Sequence, residues 1–440
     1  MFPRILALLW LASLLGFPRE RGQEEPADAA EISRALLYHP ARSIESATDA
    51  IMLRAARFTY RFGLSTSQWT VARESNLDPE RDKPEPVTQY TVARLARTYR
   101  FSGIADEDGG ILEIHRTDQA ELLARLILWT RPQLAAAWLA RWRQDMPNAS
   151  AEQLARDLEP AEPEVAAVAE DAAHLWLAIR HYAGEGSLGL GTLVRLELET
   201  RQVKVFQPRA LATSSITHVA VAGDALWLGT YREGEGFIEP TAGLVRFDPA
   251  SGGLQTYLPG SSPLVGQIVT AMRALNDSLW VATDAGVCRI VLPEHNWTCW
   301  RIASMVSVAQ AAAVSDRPGG TPARRLPPSS YEVRWANVNF LELITPDPVE
   351  GWIRAEELAE LKGRGFEMAA YELANTYGDG ATPVRLLRAP EGDPLEAAVV
   401  YRAALEPVGD VTRDGWQRVR ARVGWIPRAG LDVAPRILPP

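Results

Sequence analysis

The chain has 440 residues, a formal net charge of −9, 47% hydrophobic residues and two cysteines. That length suggests about three domains, and the hydrophobic fraction is ordinary for folded globular protein. An acidic balance with no basic run excludes a nucleic-acid binder held by phosphate contacts. At the start, Arg4 precedes the apolar run Ile5–Phe17, too short for an ordinary membrane span, so residues 1–22 predict an export signal. Ala27-Asp28-Ala29 has a small-x-small pattern but lies far downstream of the run, so an uncleaved anchor is the alternative. Membrane attachment is expected only if residues 5–17 stay uncleaved. No Cys follows the run, which excludes a lipoprotein anchor.

Residues 30–160 read as an α-rich domain. Glu31–Leu37 and Glu45–Phe58 have helical apolar spacing, and Trp69–Pro86 reads as a loop. Tyr99–Phe101 and Ile111–Ile114 flank Asp106-Glu-Asp-Gly-Gly110 as a hairpin would. Asp118-Gln-Ala-Glu121 resembles a capping box opening a helix with Leu122, Leu126 and Trp129 on one face. A second helix starts at Pro132 and carries Leu134, Trp138 and Trp142, and Ser150-Ala-Glu-Gln153 is a further cap. Glu159–Glu164 makes a short linker.

Residues 163–302 repeat themselves. HLWLAIR at His174, ALWLGTY at Ala225 and SLWVATD at Ser278 place Trp176, Trp227 and Trp280 at spacings of 51 and 53 residues. Apolar residues flank each Trp at strand period, and LVRLEL from Leu193, LVRFDP from Leu244 and VCRIVL from Val287 follow as second strands. The pattern resembles blades of the two-component-regulator type of β-propeller, in which Leu-Trp-small-Gly-Thr precedes Gly-Leu-aliphatic-Arg-aromatic-Asp. Leu226, Trp227, Gly229, Thr230, Gly243, Leu244, Arg246, Phe247 and Asp248 match best. The first unit has Ala178 and Ile179 in place of Gly-Thr. Propellers close with about four to eight blades, and three are legible. The open alternatives are divergent blades elsewhere, an oligomer that completes the ring, an open stack, or a β-sandwich with coincidental Trp spacing.

Two features of the repeat bear on function. The first two units share an insertion between the same strands, containing Tyr182 with Gly184-Glu185-Gly186 and Tyr231 with Gly234-Glu235-Gly236. Loops between second and third strands emerge together on one propeller face, so Tyr182, Glu185, Tyr231 and Glu235 are the candidate ligand-binding residues. Aligning the third unit on the second puts Cys288 at Val245 and Cys299 at Thr256, opposite each other if Phe247 opposes Leu254. A cross-strand disulfide is then expected, and an oxidising compartment is where it would persist.

Past Arg317–Ser330, rich in Pro, Gly and Arg, two copies of Gly-Trp-Ile-x4-Leu begin at Gly351 and Gly424. They are similar to the closing element of bacterial Src-homology-three-like barrels, and Asp414-Gly-Trp-Gln-Arg-Val419 matches the strand before it. The resemblance implies two small barrels, at 303–362 and 366–434. The predicted fold is therefore multidomain and mainly β: an α-rich N-terminal domain, propeller-like repeats and two C-terminal barrels.

No catalytic set stands out. Gly184-Glu-Gly-Ser-Leu-Gly189 matches a dinucleotide fingerprint by letter, but a strand follows it where a helix is required. The six His have no zinc-ligand spacing, so no metal and no cofactor are expected. The resemblances imply a non-catalytic binding or scaffold protein, exported to the periplasm, cell surface or medium, with a cell-wall glycan or peptide or an extracytoplasmic protein as partner. The alternatives are an enzyme with dispersed carboxylates on the propeller face and a membrane-anchored sensor.

Overall fold

The computed structural model describes residues 40–74, 85–105, 109–141, 148–157, 160–183, 186–234, 237–315, 324–336, 340–355, 385–399 and 406–439. The signal or anchor reading of residues 1–22 and the helix read at Glu31–Leu37 lie outside them.

Five four-stranded antiparallel meanders follow one another along the chain. The first is β1 (Ser43–Ala47), β2 (Ala50–Arg54), β3 (Phe58–Gly63) and β4 (Gln68–Arg73). The second is β5 (Gln89–Val92), β6 (Arg97–Ala105), β7 (Gly109–Arg116) and β8 (Glu121–Thr130). Two helices, α1 (Arg131–Arg141) and α2 (Ala151–Asp157), lead to the third. It comprises β9 (Glu162–Glu170), β10 (His174–Ala183), β12 (Thr192–Glu197) and β13 (Val203–Phe206), with the short β11 (Gly186–Ser187) folding back on the end of β10. The fourth is β14 (Ser215–Ala222), β15 (Ala225–Gly234), β16 (Phe237–Phe247) and β17 (Leu254–Tyr257). The fifth is β18 (Val269–Leu275), β19 (Ser278–Thr283), β20 (Gly286–Val291) and β21 (Asn296–Val308).

The repeat signature has a physical basis in strand pairing. Trp176, Trp227 and Trp280 lie directly across from Arg195, Arg246 and Arg289 on the next strand. Two of these guanidinium groups sit over the indole, 5.8 Å from the ring centre, a contact worth about 0.5–1 kcal/mol where it is exposed. Thr230 and Thr283 donate their hydroxyls to the carbonyls of Gly243 and Gly286 on the third strand. In the third meander Ile179 takes that place, and its partner across the ladder is Thr192. Gly229 is required by close packing: a Cβ there would lie 2.7 Å from Val269 of the fifth meander.

Consecutive meanders share apolar cores: second with third, third with fourth, and fourth with fifth. The fifth also packs on the first, where Phe62, Trp69, Trp280 and Trp300 cluster with centroid separations of 5.0–6.3 Å. The arrangement is thus propeller-like, with the last meander returning to the first. The first meander uses only one face for this. Its other face carries Glu45, Arg54, Arg61 and Thr70, and the Glu45–Arg54 ion pair stands in solvent. No core cluster among the described residues joins the first meander to the second.

The α-rich N-terminal domain is not present: the described residues between 41 and 130 form two four-stranded β-sheets, and the α-helices of the described residues are α1 and α2. Glu45–Phe58 mimicked helical spacing because a tight turn at 48–49 interrupts two short strands. Their apolar residues Ile44, Ile51 and Leu53 lie on one face at period two. The box at Asp118 fails because Ala120 turns into the left-handed region (φ 49°) and Glu121 starts β8. Asp118 then binds the Arg116 guanidinium, at 2.7–3.1 Å, instead of backbone N–H groups. The cap at Ser150 forms as expected, with Ser150 and Gln153 exchanging backbone-to-side-chain hydrogen bonds of 3.1 and 3.2 Å.

The two closed barrels are not present either. β24 (Ser329–Ala336), β25 (Phe340–Arg354) and β29 (Trp416–Pro427) make one open sheet continuous with β21. Short strands decorate it or stand beside it: β22 (Ala312–Val314) with β23 (Arg324–Leu326), then β26 (Arg385–Leu387), β27 (Pro394–Val399) and β28 (Glu406–Pro407). The last strand, β30 (Val433–Leu438), pairs with β21. The two Gly-Trp-Ile copies lie in β25 and β29, which run antiparallel to each other over Phe340–Arg354 and Trp416–Pro427. Each copy's tryptophan therefore sits in a strand of a shared sheet and closes nothing. Ile353 and Ile426 are buried, whereas Trp352 is half-exposed.

Candidate functional site

The insertions between second and third strands of the third and fourth meanders lengthen two hairpins. The short β11 of the first extension lies against β15 of the second, beside the inner strands β9 and β14. Arg180, near the end of β10, is 7% exposed. Its Nε and Nη2 donate to one oxygen of Glu164 on β9, at 3.1 and 2.7 Å, and its Nη1 donates to Glu233 on β15 at 3.0 Å. Burial opposes the charge on this guanidinium, but Glu233, Glu164 and Tyr231 outweigh it, so its pKa is raised and the cation is held. The backbone N–H of Glu233 donates to Ser187 Oγ at 2.8 Å, which ties β11 to β15.

Around this ion triad stand aromatic and imidazole groups. Tyr182 is half-buried beneath the Arg180 guanidinium, 5.2 Å from its ring centre. Tyr231 is 5% exposed and donates to Glu233 at 3.4 Å; burial and Glu233 raise its hydroxyl pKa. His218 on β14 lies 6.4 Å from the Tyr231 ring. Its Nε2 faces the Thr270 carbonyl at 3.1 Å, which can only accept. Nε2 therefore carries the proton, and the unprotonated Nδ1 lies 3.0 Å from the Thr217 hydroxyl, whose one proton is shared with the Gly229 carbonyl at 3.2 Å. Burial lowers the His218 pKa to about 4. His181, fully buried and bonded to Thr192 Oγ1 at 2.9 Å, falls to about 3 for the same reason. Arg42, exposed ahead of β1, adds a positive charge felt at both His218 and Tyr231.

Of the four residues singled out in the sequence, Tyr182 and Tyr231 are brought to this cluster, bridged through Arg180. Glu185 and Glu235 lie outside the described residues. Tyr231 is a core ring and offers no open stacking surface. Arg180, Glu164, Glu233, Ser187 and His218 escaped sequence reasoning. The one usable signal was Arg180 itself, a charge at the end of the otherwise apolar strand Leu175–Ile179. Cys288 and Cys299 face each other across β20 and β21 and are joined by a disulfide. Phe247 does oppose Leu254, and Val245 opposes Thr256. Among the described residues no group of three or more His, Cys, Asp or Glu is placed to hold a metal ion, and no helix is long and apolar enough to cross a membrane.

No protein-family model matches the chain, and no curated protein matches it. Among solved structures it is similar to the extracellular domain of a protein assigned as a one component system in B. thetaiotaomicron. There the identity is 15% over 70% of this chain and 33% of that one, with a TM-score of 0.28. It is also similar to the WD40 domain of Neurospora crassa Pan2, at 11% identity over 57% and 62% of the two chains and a TM-score of 0.26. A third is PorZ, a surface component of the type-IX secretion system of Porphyromonas gingivalis, at 10% identity over 70% and 44% and a TM-score of 0.24. The chain spans about a third of the length of the first of these. At such identities and scores the likeness concerns β architecture and says nothing about ligand or activity.

Proposed function

We propose that this chain is a non-catalytic binding or scaffold protein acting outside the cytoplasm, with its ligand face formed by the hairpin extensions of the third and fourth meanders. The observation that carries the reading is the junction of those extensions: Arg180 spans Glu164 and Glu233, and Ser187 receives the Glu233 N–H. A triad held this firmly fixes the base of two loops, which is what a recognition surface needs. The cross-strand disulfide supports a location in an oxidising compartment. The chemistry of the cluster argues against acid–base catalysis. Both carboxylates are bound to a permanent cation, and imidazoles with pKa values of about 3 and 4 are poor bases near neutrality. The partner is expected to be a cell-wall glycan or peptide, or an extracytoplasmic protein, that uses Tyr182, Glu185 and Glu235. The test is a glycan and muropeptide panel titrated against wild type and a Tyr182→Ala/Glu185→Ala/Glu235→Ala variant. A ligand bound by wild type and lost by the variant is the expected result. A ligand bound equally by both proteins moves the site off this face.

A further inference from the structure

A cleft opens on the outer rim where the first meander and the C-terminal strand diverge. Trp69, Val71 and Arg73 alternate onto the face of β4 whose inner part packs on the fifth meander, and Ala434–Ile437 of β30 stand opposite. The cavity is about 620 Å³, the size of ordinary ligand sites that combine apolar walls with a few polar groups. At one end Trp69 and Ile437 join the Trp300 cluster. At the other, Arg73 donates to the Asp432 carboxylate at 2.9 Å and to the Val433 carbonyl at 3.3 Å, clamping the strands together. Arg436 is different: it is exposed and has no hydrogen-bond or ion-pair partner among the described residues. With Arg73 and Asp432 also on the walls, the cleft is cationic in a chain whose net charge is −9. Its border is also an open sheet edge. Among the described strands β4 is hydrogen-bonded to β3 alone, and Val71 is 37% exposed, whereas the outer strand of the fifth meander, β21, is covered by β24 and β30. An open strand edge beside an apolar trough is a template for strand addition.

We propose that this cleft binds an extended acidic peptide by strand addition to β4. The peptide backbone pairs with the free edge of β4, and its alternate side chains enter the trough. One carboxylate reaches Arg436, and an apolar residue two positions away lies against Val71 and Trp69. The site stands apart from the Arg180 cluster and owes nothing to it.

The experiment titrates the fluorescein-labelled peptide Val-Thr-Glu-Thr-Val-Thr-Glu-Thr (the Val-Glu peptide), in which Val and Glu two positions apart share one face and whose length of about eight residues is one strands commonly have, into the full chain and follows anisotropy. Companion peptides carry Lys or Gln in place of Glu, or N-methyl groups on alternate residues. Benzoate serves as a small-acid competitor. The Val-Glu peptide is expected to bind, the Lys peptide not to, and N-methylation to abolish binding. Arg436→Glu should weaken binding by on the order of tenfold or more without changing the circular dichroism, since the Arg436 side chain holds nothing in the fold. Tyr182→Ala should leave this binding unchanged. The proposal is overturned if the Val-Glu peptide fails to bind up to about 1 mM, or if the Lys peptide binds as well. Equal binding by the Arg436→Glu variant or by the N-methylated peptide overturns it too, as does full displacement by benzoate at the peptide's own concentration.

Discussion

His181 is buried and His218 half-buried, neither of them hydrogen-bonded to a charged group, and each has consequences for stability. Both fold as neutral rings, with pKa values lowered by burial to about 3 and about 4 from 6.5. The unfolded chain binds protons at these groups below pH about 6.5, and the folded chain does not until it is far more acidic. Their contribution is therefore complete above the unfolded pKa and is lost as pH falls toward the folded values, at about 1.4 kcal/mol per pH unit for each group. Urea unfolding between pH 7 and 4 is expected to show this decline, and His218→Gln should make it shallower. A pH-independent unfolding free energy across that window would show that the rings are solvated. Arg180 makes the opposite case. Replacing it by Met leaves Glu164 and Glu233, each half-buried, together without their cation; breaking a fully buried pair costs about 3–5 kcal/mol, and their partial exposure to solvent puts the expected loss below that range. Differential scanning calorimetry of Arg180→Met measures it, and a melting temperature equal to wild type would mean the triad is solvent-screened.

At the scale of elements, the register of the hairpins decides what the sequence could reveal. The pairing of Phe247 with Leu254 transfers to the fifth meander and sets Cys288 against Cys299. Reducing that bridge, which closes a loop with a sequence separation of 11, should lower stability by about 2–3 kcal/mol. Unfolding with and without a reductant checks this, and identical curves would remove the bridge from the stability of the sheet. The third to fifth meanders were legible because Trp and its cross-strand Arg leave a fixed imprint at each turn of the repeat, joined in the fourth and fifth by the Thr–Gly contact. The first two meanders lack that imprint. The hairpin of Tyr99–Phe101 and Ile111–Ile114 was legible and forms as β6 and β7, but the other short strands and the left-handed Ala120 produce spacings that mimic helices, so strand pairing is needed to identify them. The C-terminal copies misled for a related reason. Gly-Trp-Ile marks a strand, but which face the Trp takes depends on its partner strand. In β29, Trp416 is a buried ring, 6% exposed, with Arg354 stacked 4.1 Å from its centre. Trp416→Ala should therefore cost about 3–5 kcal/mol, and Trp352→Ala clearly less. Thermal melts of the two variants test the order. The candidate site was half legible: its loops came from the repeat, but the Arg180 triad joins residues 16 and 53 positions apart that no local pattern connects.

At the scale of the whole molecule, the meanders pack in the order second, third, fourth, fifth and first, and an aromatic junction holds the first onto the fifth. Phe62 of β3 sits 5.3 Å from both Trp280 and Trp300, while Thr270 and Arg273 of β18 donate to the carbonyls of Ala41 and Ile44. The second meander is anchored on its other side, by the core it shares with the third. The first meander's remaining face is polar, so its docking rests on this junction and on the Arg73–Asp432 clamp. Phe62→Ala removes the ring at the centre of the junction and should destabilise it by about 3–5 kcal/mol, the cost of truncating a buried aromatic residue. The loss should be local, because the third and fourth meanders share cores that contain no residue of the first. Hydrogen exchange read by mass spectrometry is expected to accelerate in β1–β4 and β18–β19 of Phe62→Ala, with β10–β16 protected as in wild type. Uniform acceleration through all five meanders would instead mean that the assembly unfolds as one cooperative unit. The aromatic junction would then be no more than one part of a continuous core.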